Sequence, residues 1–124
     1  MPASIEAKEV ALAAAAAISD KKGFDVILMD VSDLVVVTDV FLIATGTSSR
    51  HVKSLVAEVD RVLKEDHDRR ALRREGVDYG KWVLLDHGDI VVHAFDQETR
   101  DYYSLELLWA DAPRIEYEPA GADA

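Results

Sequence analysis

The chain contains no cysteine. Disulfide frameworks, thiolate nucleophiles and thiolate metal sites are thereby excluded, and a cytoplasmic setting is the expectation. Basic residues are scarce: 14 Lys and Arg stand against 24 Asp and Glu, a formal net charge of −10 over 124 residues. Such an excess of carboxylates repels phosphate backbones, so direct, dominant nucleic-acid binding is not expected, whereas a basic protein partner is. A membrane-length apolar run is also missing. The first twenty residues are alanine-rich, but Glu6, Lys8, Glu9 and Asp20 interrupt them. That fits neither a secretory signal nor a membrane span of about 20 apolar residues, and no membrane partner is expected. Nor does any stretch show a ligand motif of defined spacing, so neither metal nor cofactor is expected.

What is present suits one compact domain, taken as residues 1–117, followed by a short Ala, Gly and acid tail at 118–124 that is expected to be disordered. Ser4 can cap a helix with Glu6 and Glu9 in its first turns, Lys21 and Lys22 at its end and Gly23 as its stop. Residues 25–31 and 40–45 are apolar runs of strand length. After Gly46, Ser48 or Ser49 can cap the clearest amphipathic helix, with Val52, Leu55, Val56, Val59, Val62 and Leu63 on one face. A weaker strand at 71–75 and a turn from Gly76 to Gly80 follow. Asp96 caps a last helix expected to run through Tyr102, Leu105 and Trp109, and Pro113 ends regular structure. The order implies an α/β domain with a mixed sheet of about five strands flanked by helices. Such a sheet is about 24 Å wide, more than three helices of about 10 Å can cover on both faces. Part of it, or the 102–109 segment, should remain an exposed apolar patch. A partner, or a second copy of the chain in a homodimer of the free protein, could cover that patch.

The centre of this organisation is a hairpin. Trp82-Val83-Leu84-Leu85 and Ile90-Val91-Val92 flank Asp86-His87-Gly88-Asp89, in which Gly88 can take positive φ and His87 is tolerated near the left-handed region. Asp86, His87, Asp89 and His93 have the residue types of a metal site or an acid–base pair; the plainer alternative is a polar hairpin tip followed by a half-buried strand histidine. Contact with a partner is the preferred role. Trp82, Tyr102, Tyr103 and Trp109 are either core or the aromatic anchors that dominate interfaces. Glu106 and Asp111 flank Trp109 as an acidic rim suited to a basic partner.

Three blocks, Thr38 to Gly46, Trp82 to His93 and Tyr103 to Asp111, closely resemble in order and spacing the bacterial ribosomal silencing factors, the Iojap family. The resemblance covers roughly residues 5–112. It implies a fold related to nucleotidyltransferases, without that chemistry, and no enzymatic activity. It further implies a translational repressor that binds the large ribosomal subunit at its fourteenth protein and keeps the small subunit from joining when nutrients fall. Two positions depart from the family pattern: His87 stands where tyrosine is usual and Ala110 where glycine is usual. The alternatives are a nucleotide-dependent enzyme on the same fold and a homodimeric adaptor unconnected with the ribosome. Against the enzyme, Gly46-Thr47-Ser48 leads straight into a helix rather than into a strand bearing paired carboxylates. The residues expected at the partner contact are Trp82, Asp86, His87, Asp89, His93, Tyr103, Glu106, Trp109 and Asp111.

Overall fold

A computed structural model describes residues 2–118; the tail expected to be disordered lies, apart from Glu118, outside them. Ser4 opens helix α1 (Ile5–Asp20) by accepting the Ala7 N–H on its hydroxyl at 3.0 Å. Alanine favours the helix, and its small side chains at 7, 11, 14 and 15 let α1 lie close to its neighbours. Strands β1 (Phe24–Asp30) and β2 (Val40–Gly46) form an antiparallel pair. Ser48 then accepts the His51 N–H at 3.0 Å and starts α2 (Ser49–His67), which buries Val52, Leu55, Val56, Val59 and Leu63 at helical spacing. Asp68 ends it in the left-handed region, its N–H donating to Leu63 O.

The short edge strand β3 (Arg73–Glu75) precedes the hairpin of β4 (Trp82–Asp86) and β5 (Ile90–Asp96). The sheet order is β3-β4-β5-β2-β1-β6, all antiparallel except the central β2–β5 pair. Parallel β2 and β5 need a crossover, and α2 with the hairpin supplies it.

Three expectations change. The last helix is not continuous: Asp96 caps α3 (Gln97–Tyr103), but Ser104 turns left-handed at φ 46° before a single further turn, α4 (Leu105–Leu108). Regular structure does not end at Pro113, because Arg114–Ile115 form β6 against Leu28 and Met29 of β1, making six strands where about five were expected. Two residues are too short for a strand pattern to show in sequence. In the hairpin turn only Gly88 has positive φ, at 90°; His87 stays out of the left-handed region.

The two faces of the sheet are covered unequally. Leu28, Val40, Leu42, Ala44, Val83, Leu85, Ile90, Val92 and Ala94 pack under α1 and α2 in the main core. On the opposite face Met29, Val31, Ile43, Phe95 and Ala112 form a smaller core, with Phe41, Trp82, Leu105 and Trp109 partly buried over it. Among the described residues that face is covered by α3, α4, the 109–112 turn and the 31–39 loop, and it stays partly open, in line with the helix count.

Candidate partner-binding face

The open part of the second face lies across β2, β5 and β4. Strand alternation sends Phe41, Val91, His93, Leu84 and Asp86 to this side, while their neighbours enter the main core. The 31–39 loop forms one wall. It is held by Val31 N–H donating to Asp39 O at 2.9 Å and Val35 N–H donating to Val31 O at 2.8 Å, and Asp39 N–H donates to Asp89 O at 2.8 Å. Val35 and Val37 line the groove, and Leu34, Val36 and Val37 are exposed, Val36 completely. Leu72, before β3, forms the opposite wall at 72 % exposure. The groove has a volume of about 420 Å³, with Arg73 and Asp86 among its few charged groups.

Aromatic packing fixes the floor. Trp82 lies 5.0 Å from Phe95 and 4.8 Å from Tyr103 by ring centroids, and its Nε1–H donates to His93 Nδ1 at 3.1 Å. Because Nδ1 accepts, a neutral His93 carries its proton on Nε2. That Nε2 and the Thr38 hydroxyl are buried without a hydrogen-bond partner among the described residues, and both residues line the groove. Burial pushes the His93 imidazolium down to about 4, so the ring is neutral at neutral pH. Phe41 meets Trp109 edge-on at 5.5 Å and His93 at 5.2 Å, tying α4 to the floor. Arg100, 5 % exposed, locks α3 in place: its Nη1 donates to the Asp25 carbonyl and, at 2.6 Å, to Thr45 Oγ1, while Nε approaches Glu106 at 3.4 Å.

The expected contact residues therefore divide. Trp82, Tyr103 and Trp109 share the second face, and Asp111 is exposed beyond it. Asp86 borders the groove, accepting the Gly88 N–H at 2.8 Å and facing Arg73 at 3.6 Å. Asp89 pairs with Arg69. Glu106 is no open rim; it turns inward to Arg100. His93 is 5 % exposed rather than half-buried, and His87 is not at an exposed tip but 4 % exposed. Alternation explains His87: it continues the Val83, Leu85 series onto the helix-covered side. Burial depresses its imidazolium; Asp60 opposes that shift, and Arg69 and Arg74 add to it. Sequence reasoning missed Leu72 and the loop wall. The signal was present in the run Leu34-Val35-Val36-Val37, four apolar residues in a connection too short to hide them.

The fold and this face define a small mixed-sheet α/β domain that presents one apolar sheet face outward beside an aromatic cluster. A family model described as "Ribosomal silencing factor during starvation" matches residues 4–124. The ribosomal silencing factor of Bacillus subtilis is 39 % identical over 109 residues, covering 86 % of this chain and 89 % of its own length. That of Chromobacterium violaceum is 41 % identical over 105 residues, 85 % of each chain. A mouse protein named for mitochondrial assembly of the ribosomal large subunit is 38 % identical over 74 residues, which is 58 % of this chain and 32 % of the mouse one. A crystal structure of a Chromobacterium violaceum protein superposes with a TM-score of 0.82 at 37 % identity, covering 97 % of this chain and all of that one. One from Bacillus halodurans gives 0.78 at 35 % identity over 89 % and 99 % of the two chains. The chain belongs to the ribosomal silencing factor family.

Proposed function

We propose that this protein represses translation by docking on the large ribosomal subunit, through that subunit's fourteenth protein, and sterically excluding the small subunit. The observation that carries the proposal is the open apolar groove of the second face, walled by Val37 and Leu72 and floored by Phe41, Leu84 and Val91. Exposed apolar surface of this kind is costly in a free domain and is removed from water by a partner. The family supports a ribosomal partner, and the mouse relative's name points to the large subunit. A net charge of −10 favours a basic protein over the RNA around it. His93 and Thr38 would support the groove floor from beneath. Trp82, Tyr103 and Trp109 would serve as rigid anchors, with Asp86 and Asp111 at the margin and His87, Asp89 and Glu106 as supports.

The same geometry disfavours the enzymatic alternative. Ser48 is engaged as a helix cap, and the two hairpin-tip carboxylates are held by Arg73, Arg69 and the Gly88 N–H. The test is to mix purified ribosomal subunits with rising amounts of the protein and follow subunit joining by light scattering, without added nucleotide beyond the buffer. Joining should fall in a saturable way, and Leu72→Asp with Val37→Asp should abolish the effect in a folded protein. Unimpeded joining at saturating protein, or sedimentation with the small subunit alone, would sink the proposal.

A further inference from the structure

We propose that Tyr79, Tyr102, Tyr103 and Trp82 form an aromatic cage that takes an arginine side chain of the basic partner, a second anchor beside the groove. The proposal rests on the function above for the partner, but not for the chemistry of the cage. Three of the chain's four tyrosines meet at this one place around an open concavity of about 400 Å³. Tyr79 is 82 % exposed and Tyr102 81 %. The rings stand at steep angles, Tyr103 against Trp82 at 50° and against Tyr102 at 79°, so the cluster is no flat stack. The scaffold behind them is fixed. Trp82 is wedged on Phe95 and bonded to His93, and buried Arg100 anchors the helix that carries Tyr102 and Tyr103. Tyr79 rides on a turn in which Gly80 N–H donates to Gly76 O at 3.0 Å, and Lys53 Nζ donates to Asp78 O at 2.8 Å.

Charge selects the occupant. Residues 75–82 and 96–103 carry Glu75, Asp78, Asp96, Glu98 and Asp101 against Lys81 and Arg100, and Arg100 is buried and engaged. Glu98 and Lys81 both line the cage. Ring faces attract cations, and the carboxylates add to that field. A planar, weakly hydrated guanidinium can stack on a ring while donating to Glu98, which a compact ammonium does less well. A nucleobase would also stack, but its phosphate meets the acidic surround and is repelled.

The experiment titrates the full chain with the peptide Gly-Arg-Gly, capped at both ends, and reads NMR shifts. Capped Gly-citrulline-Gly, capped Gly-Lys-Gly and adenosine monophosphate serve as comparisons. Saturable shifts confined to residues 79–82 and 98–103, with arginine at least about fivefold tighter than its uncharged isostere citrulline, are expected. Tyr79→Ala with Tyr102→Ala removes two exposed rings, so the fold is retained, and should weaken arginine binding by about five- to thirtyfold. Glu98→Gln should weaken it and Lys81→Gln strengthen it, a sign pair that a purely structural role would not give. Equal binding of citrulline, or tighter binding of lysine or adenosine monophosphate, overturns the arginine cage. In a second arm the Tyr79→Ala, Tyr102→Ala chain is sedimented with large subunits. A comparable loss of affinity supports the anchor, and an unchanged affinity overturns its use on that partner. If the unaltered chain does not sediment with large subunits, the proposed function fails, while the peptide arm still decides the cage.

Discussion

The hydrogen bond from Trp82 Nε1–H to His93 Nδ1 makes one imidazole carry two duties: it satisfies the indole and supports the ring cluster beneath the groove. The same bond requires His93 to be neutral, and its burial pushes the group to about 4, well below the ordinary value of 6.5. The unfolded chain therefore takes up a proton that the folded chain resists. Stability is fully present above pH 6.5 and is lost as pH falls toward 4, with His87 acting in the same direction. For His93 alone the loss between pH 8 and pH 5 is about 2 kcal/mol. Urea unfolding at the two pH values measures it. His93→Phe should reduce the difference by about that amount, leaving the part due to His87, while lowering stability at pH 8 by about 1–3 kcal/mol because the indole N–H is left without its acceptor. An undiminished pH difference in that variant would mean that His93 is not the titrating group.

The joint between α3 and α4 shows how an element boundary sets the shape of the face. Ser104 at φ 46° stops α3 and redirects the chain so that Leu105 and Trp109 turn onto the sheet, leaving Leu107 and Leu108 exposed. Its N–H donates to Arg100 O at 2.8 Å and its hydroxyl to Asp101 O at 2.9 Å, which offset part of the cost of a left-handed non-glycine residue. Ser104→Gly should raise stability by about 0.5–1 kcal/mol, and Ser104→Val should lower it by more than about 1 kcal/mol. Thermal or urea unfolding of the pair checks both signs; a more stable valine variant would mean that the joint relaxes into a continuous helix. At the other end of the sheet, β6 and Tyr117 tie the C-terminal segment down, the Tyr117 hydroxyl lying 2.8 Å from Ser19 Oγ and 3.2 Å from Ala15 O.

Across the whole molecule, many of the scarce cations are paired at home. Arg61 binds Glu58 and Glu65, Arg69 pairs with Asp89, Arg73 faces Asp86 and Arg74 reaches Asp60. Six of the 14 basic residues fall within 61–74, yet four of them are matched by these carboxylates, and the molecule meets its surroundings as an acid. Association with a basic protein should therefore be steered. Its rate should fall as salt rises from low values to physiological strength, where the Debye length is about 8 Å, while dissociation from the apolar groove should change far less. Stopped-flow measurement of association with large subunits over a salt series checks this. A rate that rises with salt would point to a like-charged contact surface instead.

The sequence by itself determined the α/β class, the cap residues Ser4 and Asp96, the amphipathic α2 with its cap narrowed to Ser48 or Ser49, and the β4–β5 hairpin, because local spacing and propensity decide each of these. That apolar surface would stay open, on part of the sheet or on the 102–109 segment, was legible from the width of a sheet against the number of helices; which face it was, was not. Burial of the hairpin histidine was legible in principle, since His87 continues the Val83, Leu85 alternation. Tertiary structure alone decided the rest. It turned Glu106 inward to a buried Arg100, broke the last helix at Ser104 and recruited Arg114–Ile115 as a sixth strand. It also brought Tyr79 beside Tyr102, and Leu72 opposite Val37. These depend on residues distant in the chain, as Arg100 depends on Asp25 and Thr45 and the turn at Ser104 on the sheet under Leu105 and Trp109, or on a strand too short to leave a pattern, and no local propensity records which of two exposed segments will face each other across a sheet.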